Sequence, residues 1–343
     1  MRGGHGRAWR RLAVYPLAAI FLVVVGNAAY ASSSVSVPPT PVLSRQPAHL
    51  TRPLATASAA KPAPPPVTTL LAPSAFDLLS ADLQAIARTS GGRVGISLQE
   101  LSGPRRTSLS VNGGLSFVAA STYKLPLLMA EAQQIATGQV RGSDALCYTA
   151  GDAEDGWFMD YQPGSCYTRD ELARRVGRYS DNTAAHILVR YLGGPDALNR
   201  YAGAIGMDHS ALWVPNTTTP DDLSQALVNE ALGRLGGAAA QGWLYPILTR
   251  TASEQGIPAG LPAGATVVHK TGWMPGTQND AAYVRYGRIA YVLSVTIDGL
   301  DDGHAWSLIA RISARIWRYE SGRPDFGPPV VVPPASTPAQ NRD

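Results

Sequence analysis

The chain predicts an α+β fold of two lobes: an antiparallel sheet built from both ends of a central body, with an all-helical lobe inserted between the two groups of strands. Three observations predict it. Apolar residues alternate with period two at Arg93 to Leu101 and Arg106 to Val111, and this pattern returns only late, at Thr266 to Thr271, Ala281 to Tyr286 and Ile289 to Ile297. Between these stretches the apolar residues recur at helical spacing. The 27 prolines crowd toward the chain ends, which leaves residues 75–320 as the body that can bury a core. A cleft is expected where sheet and helical lobe meet.

Residues 1–31 carry Arg2, Arg7, Arg10 and Arg11, then an uncharged apolar run from Leu12 to Val25, then Ala29-Tyr30-Ala31 as a small-residue cleavage site. This is either a signal peptide that is removed or a signal anchor that stays in the membrane. Pro16 and Asn27 interrupt the segment, and its apolar run is shorter than the ~20 residues of a spanning helix. Residues 32–74 form a linker of Pro, Ala, Ser and Thr, including Pro64-Pro65-Pro66, expected to be a semi-extended spacer that contacts the cell wall. The body opens with a helix over Ala75 to Thr89, and Ser102-Gly103-Pro104 separates the first two strands as a hairpin signal. Helices follow at Tyr123 to Ala136, Arg169 to Tyr179, Thr183 to Leu192, Pro195 to Ile205 and Pro220 to Leu235. A helix from His304 to Tyr319 closes the body, with Trp306, Ile309, Ile312 and Ile316 on one face. Residues 321–343, with Pro328-Pro329 and Pro333-Pro334, are expected to be a disordered tail.

A net charge of +4 without a basic stripe or interleaved aromatics excludes nucleic acid as an expected partner. Cys147 and Cys166 make an even pair in a chain with an export signal, and a disulfide between them is expected; two inert buried thiols are the alternative. The protein is expected to be a monomer, secreted or otherwise extracytoplasmic, and associated with cell wall or membrane.

Of the 29 basic residues only Lys61, Lys124 and Lys270 are lysines, and the last two fall inside short motifs. Guanidinium keeps its proton at working pH, whereas a buried ammonium can be pushed to neutrality and act as a base. In Ser121-Thr122-Tyr123-Lys124 the i, i+3 spacing puts the serine and lysine on one face of a helix beginning at Ser121, so Lys124 can take the proton of the Ser121 hydroxyl. The apolar neighbours Phe117, Val118, Ala119, Leu125 and Leu127 argue for burial, and Lys270 is a candidate second cation that keeps Lys124 neutral. Ser180-Asp181-Asn182 stands between two helical patterns. Ser180 is a candidate proton carrier and Asn182 a candidate amide binder, while simple N-capping of the next helix is the plainer reading. His269-Lys270-Thr271-Gly272 ends a strand-like run. Lys270 and Thr271 suit a carboxylate, and Gly272 lets a substrate backbone approach closely.

These three motifs, in this order, resemble the class A β-lactamases and their penicillin-binding relatives. Tyr179-Ser-Asp-Asn-Thr-Ala-Ala185, Thr217-Thr-Thr-Pro220, Lys270-Thr-Gly-Trp273 and Asn279-Asp280 all read like that family, over essentially the whole body. The resemblance implies a serine hydrolase acylated at Ser121 by β-lactams or D-alanyl peptides, with Lys124 as acylation base and Ser180 passing the proton to the leaving nitrogen. It implies that Asn182 binds the substrate's side-chain amide, that Lys270 and Thr271 hold its carboxylate, and that the backbone N–H groups of Ser121 and Trp273 form the oxyanion hole. No cofactor and no metal are expected; His186 and His269 read as helix packing and strand edge.

One departure from the family is expected to matter. Class A β-lactamases carry, before the Thr-Thr-Thr-Pro stretch, a Glu-x-x-Leu-Asn segment whose glutamate activates water to release the acyl-enzyme. Here that region is Ala211-Leu-Trp-Val-Pro-Asn216, with no acidic residue. Glu154 or Asp155 could substitute, although a solvated loop is the expected reading of both. Trp157, Phe158 and Tyr161 are either cleft-wall aromatics or packing around the disulfide. Three activities therefore stay open: β-lactam hydrolysis, a DD-carboxypeptidase or esterase acting on cell-wall substrates, and a sensor module in which the acyl-enzyme is the end state.

Overall fold

A capping box opens the ordered body: Asp77 N donates to Ser74 Oγ at 3.1 Å and Ser74 N to Asp77 Oδ2 at 2.9 Å, fixing the start of α1 (Ala75–Thr89). The computed structural model describes residues 72–104 and 106–324, so the expected signal segment, nearly all of the linker and most of the tail lie outside the described residues. After α1 come β1 (Arg93–Glu100), β2 (Ser108–Val111) and β3 (Phe117–Val118). A 3₁₀ turn (Ala120–Tyr123) leads into α2 (Lys124–Ala136). Then follow β4 (Ala145–Cys147), β5 (Cys166–Thr168), α3 (Arg169–Tyr179), α4 (Asn182–Leu192) and α5 (Pro195–Ala204). Next are β6 (Thr217–Thr218), α6 (Pro220–Ala231) and α7 (Gly237–Leu244), and finally β7 (Thr266–Met274), β8 (Thr277–Tyr286), β9 (Ile289–Asp298) and α8 (Asp302–Ser321).

The main sheet has the order β2-β1-β9-β8-β7 and is antiparallel throughout, so the first long strand lies beside the last and the two ends of the body share one sheet. Alternation sorts its residues. Tyr291, Leu293, Val295 and Ile297 of β9 join Ile96, Leu98 and Val284 in a core closed by Leu79 and Leu83 of α1 and by Trp306, Ile309, Ile312 and Ile316 of α8. The opposite face carries Ser294, whose hydroxyl accepts from Ser224 Oγ of α6 at 2.9 Å. A second core, with Leu127, Leu128, Leu172, Ile187, Leu188, Leu223 and Leu244, fills the helical lobe. A buried ion pair, Arg169 Nη1 to Glu131 Oε2 at 2.6 Å, ties α2 to the start of α3.

Cys147 and Cys166 lie opposite each other across β4 and β5 and form the expected disulfide, closing a loop over the intervening residues. Several boundaries differ from expectation. The helix expected to run to Leu235 stops at Ala231, and α7 follows it after left-handed Gly233 and Gly236; this glycine-rich passage had hidden a separate helix. β7 continues past Thr271 to Met274, so Gly272 and Trp273 lie within a strand rather than after one. α8 reaches Ser321, and Arg323 is buried against Glu320 (3.0 Å) and Glu100 (3.2 Å), so the first tail residues pack on the body. Among the described residues no helix is long and apolar enough to cross a membrane.

Candidate active site

Ser121 sits in the 3₁₀ turn, one step before α2, rather than at the α-helix start. The turn is tied down from two sides. Asn279 Nδ2 of β8 donates to the carbonyls of Val118 (2.8 Å) and Ala119 (3.1 Å); Asn216 Nδ2 donates to Ala120 O (2.9 Å), and Ala119 N donates to Asn216 O (2.9 Å). Gly272 makes room for this turn. A Cβ there would stand 2.6 Å from Ala119 O and 3.0 Å from the Thr122 side chain, so the close approach expected of a substrate is made first by the chain itself. Ala120 is held at φ +46°, a strained conformation for a residue with a Cβ.

Lys124, the first residue of α2, is fully buried. Its Nζ contacts Ser180 O at 2.6 Å, Asn182 Oδ1 at 2.5 Å, Ser121 Oγ at 3.3 Å and Ser180 Oγ at 3.4 Å. Lys270 of β7 reaches the same serine from the sheet side, Nζ to Ser180 Oγ at 3.0 Å, and also donates to Thr271 O at 2.8 Å. Burial, and then the charge of Lys270, hold the Lys124 ammonium well below the usual lysine range. Burial brings Lys270 down to about 7, against the opposing charge of Asp280. A neutral amine has two N–H donors and one lone pair. In Lys124 the two short contacts to Ser180 O and Asn182 Oδ1 use the donors, which leaves the lone pair for the Ser121 hydroxyl.

Ser180 ends α3 in a left-handed conformation (φ +58°), and Asp181 caps α4, accepting from Ala184 N at 2.8 Å. The capping reading of this tripeptide and the functional one are therefore compatible, since they use different side chains. Asp181 also accepts from Tyr161 Oη (2.7 Å), Trp157 N (3.0 Å) and Phe158 N (3.1 Å), and Asn182 Nδ2 donates to Asp155 O at 2.7 Å. The disulfide-closed loop is thus docked on the start of α4. Of its aromatics only Tyr161 takes the expected place around the disulfide, and none of the three lines the pocket at Ser121. Trp157 and Phe158 rest on Tyr179, while Tyr161 stacks on Tyr148 and Tyr167, neighbours of the two cysteines.

Ser121 opens into a pocket of about 340 Å³ lined with Tyr123, Glu154, Asn182, His186, Trp213, Asn216 and Trp273. Four of these were not singled out from sequence as pocket residues. His186 corrects its reading as helix packing: its ring lies 4.6 Å from that of Trp213, and its Nε2 is 3.0 Å from Glu154 Oε2. Glu154 lies in an exposed loop, as expected, and also lines the Ser121 pocket. Tyr123 follows Ser121 by two residues, and Trp213 and Asn216 lie in the shortened loop; that loop's position before Thr-Thr-Thr-Pro was the signal available. His269 lies on β7, an edge strand of the sheet as expected, and is buried there, Nδ1 2.9 Å from Asp280 Oδ1 and Nε2 3.1 Å from Glu254 Oε1. Burial opposes its charge, but the two carboxylates prevail and raise it to about 9. Trp273 is half exposed, its Nε1 donating to Asp302 Oδ2 at 2.8 Å. Among the described residues no group of three or more His, Cys, Asp or Glu side chains could hold a metal ion.

A two-lobe α+β fold with a serine and a buried lysine at the lobe junction defines a serine hydrolase of the acyl-enzyme type. The chain belongs to the beta-lactamase enzyme family, whose model matches residues 78–319. It is 30% identical to the beta-lactamase CTX-M-25 of Escherichia coli over 225 residues, covering 59% of this chain and 74% of that protein, and equally so to CTX-M-8 of Citrobacter amalonaticus. Among solved structures, PBP-A superposes with a TM-score of 0.66 at 28% identity, over 70% of this chain and 95% of that one. A point mutant of PBP-A matches equally well as an acyl-enzyme complex with penicillin-G. A beta-lactamase from Sphaerobacter thermophilus follows at a TM-score of 0.64 and 25% identity, over 72% of this chain and 97% of that one.

Proposed function

We propose that this protein is an extracytoplasmic serine hydrolase whose Ser121 is acylated by β-lactams or by D-alanyl peptides. The observation that carries this reading is the Lys124 amine, fully buried, with its two donors engaged and its lone pair facing Ser121 Oγ at 3.3 Å. Lys124 takes the Ser121 proton as Oγ attacks the carbonyl carbon. The proton passes through Ser180 Oγ, which lies within reach of both lysines, to the leaving nitrogen. Lys270 and Thr271 hold the substrate carboxylate, Asn182 its side-chain amide, and the N–H groups of Ser121 and Trp273 the developing oxyanion. The N-terminal segment exports the chain, and the linker sets the body away from membrane or wall. The penicillin-G acyl-enzyme of the PBP-A mutant is the kind of species expected here.

Labelling with a fluorescent penicillin tests this. A covalent band in the wild type, absent in Ser121→Ala and in Lys124→Arg, is the expected result, because arginine cannot accept the proton. Labelling of Lys124→Arg at the wild-type rate contradicts the assigned base, and a wild type that neither labels nor hydrolyses β-lactams contradicts the substrate class.

A further inference from the structure

Acylation leaves an ester on Ser121, and the Ala211–Asn216 segment has no carboxylate to drive its hydrolysis. Another carboxylate lines the pocket that Ser121 opens into. Glu154 lines the Ser121 pocket together with His186, and its Oε2 lies 3.0 Å from His186 Nε2. Glu154 is half exposed and His186 mostly buried, so the pair has one side in the pocket and the other in the fold. The His186 ring is backed by Trp213, ring centres 4.6 Å apart.

The backbone around Glu154 is fixed more firmly than a solvated loop would be. Its N–H donates to Thr183 Oγ1 at 3.0 Å, and its carbonyl accepts from the same hydroxyl at 2.8 Å. The neighbouring Asp155 carbonyl holds Asn182 Nδ2, and on the other side buried Asp152 is clasped by Arg190 through two hydrogen bonds of 2.8 Å. The disulfide closes the loop at its base. Thr183 and His186 both belong to α4, so one helix sets both the position of Glu154 and the orientation of its carboxylate. Asn216 lines the same pocket; its side-chain amide donates to Ala120 O while its buried Oδ1 has no hydrogen-bond partner among the described residues.

We infer that Glu154, oriented by His186, is the general base that activates water to release the acyl group from Ser121. The inference rests on the acylation proposed above. Glu154 removes a proton from water as the water oxygen attacks the acyl carbon. When the C–Oγ bond breaks, the proton held by Glu154 passes back to Ser121 Oγ. The net change adds one water across the ester and yields a carboxylic acid and the free serine. His186 is a positioning residue that holds the carboxylate through Nε2.

Time-resolved intact-mass spectrometry with a penicillin separates formation of the adduct from its decay, in the wild type, Glu154→Gln and His186→Gln. In Glu154→Gln the adduct is expected to form within about threefold of the wild-type rate and to decay about 100-fold more slowly, the usual size of a lost general base. Hydroxylamine, a stronger nucleophile than water, should restore adduct loss in Glu154→Gln, which also demonstrates an intact site. In His186→Gln a smaller slowing of decay is expected, with adduct formation again within about threefold of the wild-type rate. Decay of the Glu154→Gln adduct within twofold of wild type overturns the inference, as does a wild-type adduct no shorter-lived than the variant's. Adduct formation with unchanged decay sinks only the Glu154 assignment; absence of any adduct or hydrolysis in the wild type removes the acylation on which it rests.

Discussion

Two buried amines bracket the Ser180 hydroxyl, and the proposed acylation requires that one has lost its proton and the other has kept it. Lys124 must be neutral to receive the Ser121 proton; Lys270 must be charged to hold a carboxylate. Burial and the Lys270 charge both press Lys124 toward the neutral state, while the Asp280 charge supports the ammonium of Lys270. As pH rises through about 7, Lys270 loses its charge, so KM for a carboxylate-bearing penicillin should increase above neutrality. The pH profile of kcat/KM checks this: an alkaline limb near 7 is expected, and it should vanish for the same penicillin with its carboxylate esterified. An alkaline limb of equal size for the ester would contradict the role of Lys270. The chemical residues of this site were legible because serine, lysine and glycine fall at fixed spacings in short motifs. The pairing of Glu154 with His186 was not, since they stand 32 positions apart and meet where the disulfide-closed loop folds back on α4. The strain at Ala120 was equally hidden: nothing in an alanine's neighbours reports a positive φ.

Elements with a strong apolar period were found close to their true bounds, and those without one were shortened, merged or missed. α3 is a clear case: Thr168 caps it, accepting from Glu171 N at 3.1 Å, and its apolar residues share a face. β7 is the opposite case. Its alternation breaks at Gly272, where the strand has no side chain and the nucleophile's turn packs instead, so pattern alone ended it early. The helical lobe depends on one polar contact as well as on its leucines. Arg169 is fully enclosed with Glu131, and in Arg169→Met the carboxylate would be left buried without its partner. A loss of about 3 kcal/mol is expected for that change, measured by urea unfolding. The double variant Glu131→Leu/Arg169→Met should recover most of it, because an apolar pair of similar size leaves no uncompensated charge. A single variant as stable as wild type would show that the pair does not hold α2 to α3.

For the whole molecule, the joining of both ends of the body in one sheet was readable from the return of alternation after the helical stretch, and β1 beside β9 is its physical form. What could not be read was which polar groups the two cores would enclose. Glu230 of α6 is one: both carboxyl oxygens are buried without a hydrogen-bond partner among the described residues, and burial raises the group to about 7. A carboxyl raised in the folded state stabilises fully below its unfolded value, ~4.5, and that contribution is lost as pH rises through about 7. Glu230→Gln should therefore gain stability over wild type at pH 8, on the order of 2 kcal/mol, and little at pH 4, as thermal unfolding at the two pH values would record. An equal effect at both values would contradict the buried-carboxyl explanation. The most direct test of the account as a whole is to quench the wild-type protein with acid seconds after adding a penicillin, digest it, and sequence the modified peptide by tandem mass spectrometry. The account predicts the penicilloyl mass on Ser121, and no modified peptide from Ser121→Ala. An adduct on Ser180 or any other residue, or one that persists in Ser121→Ala, would contradict it.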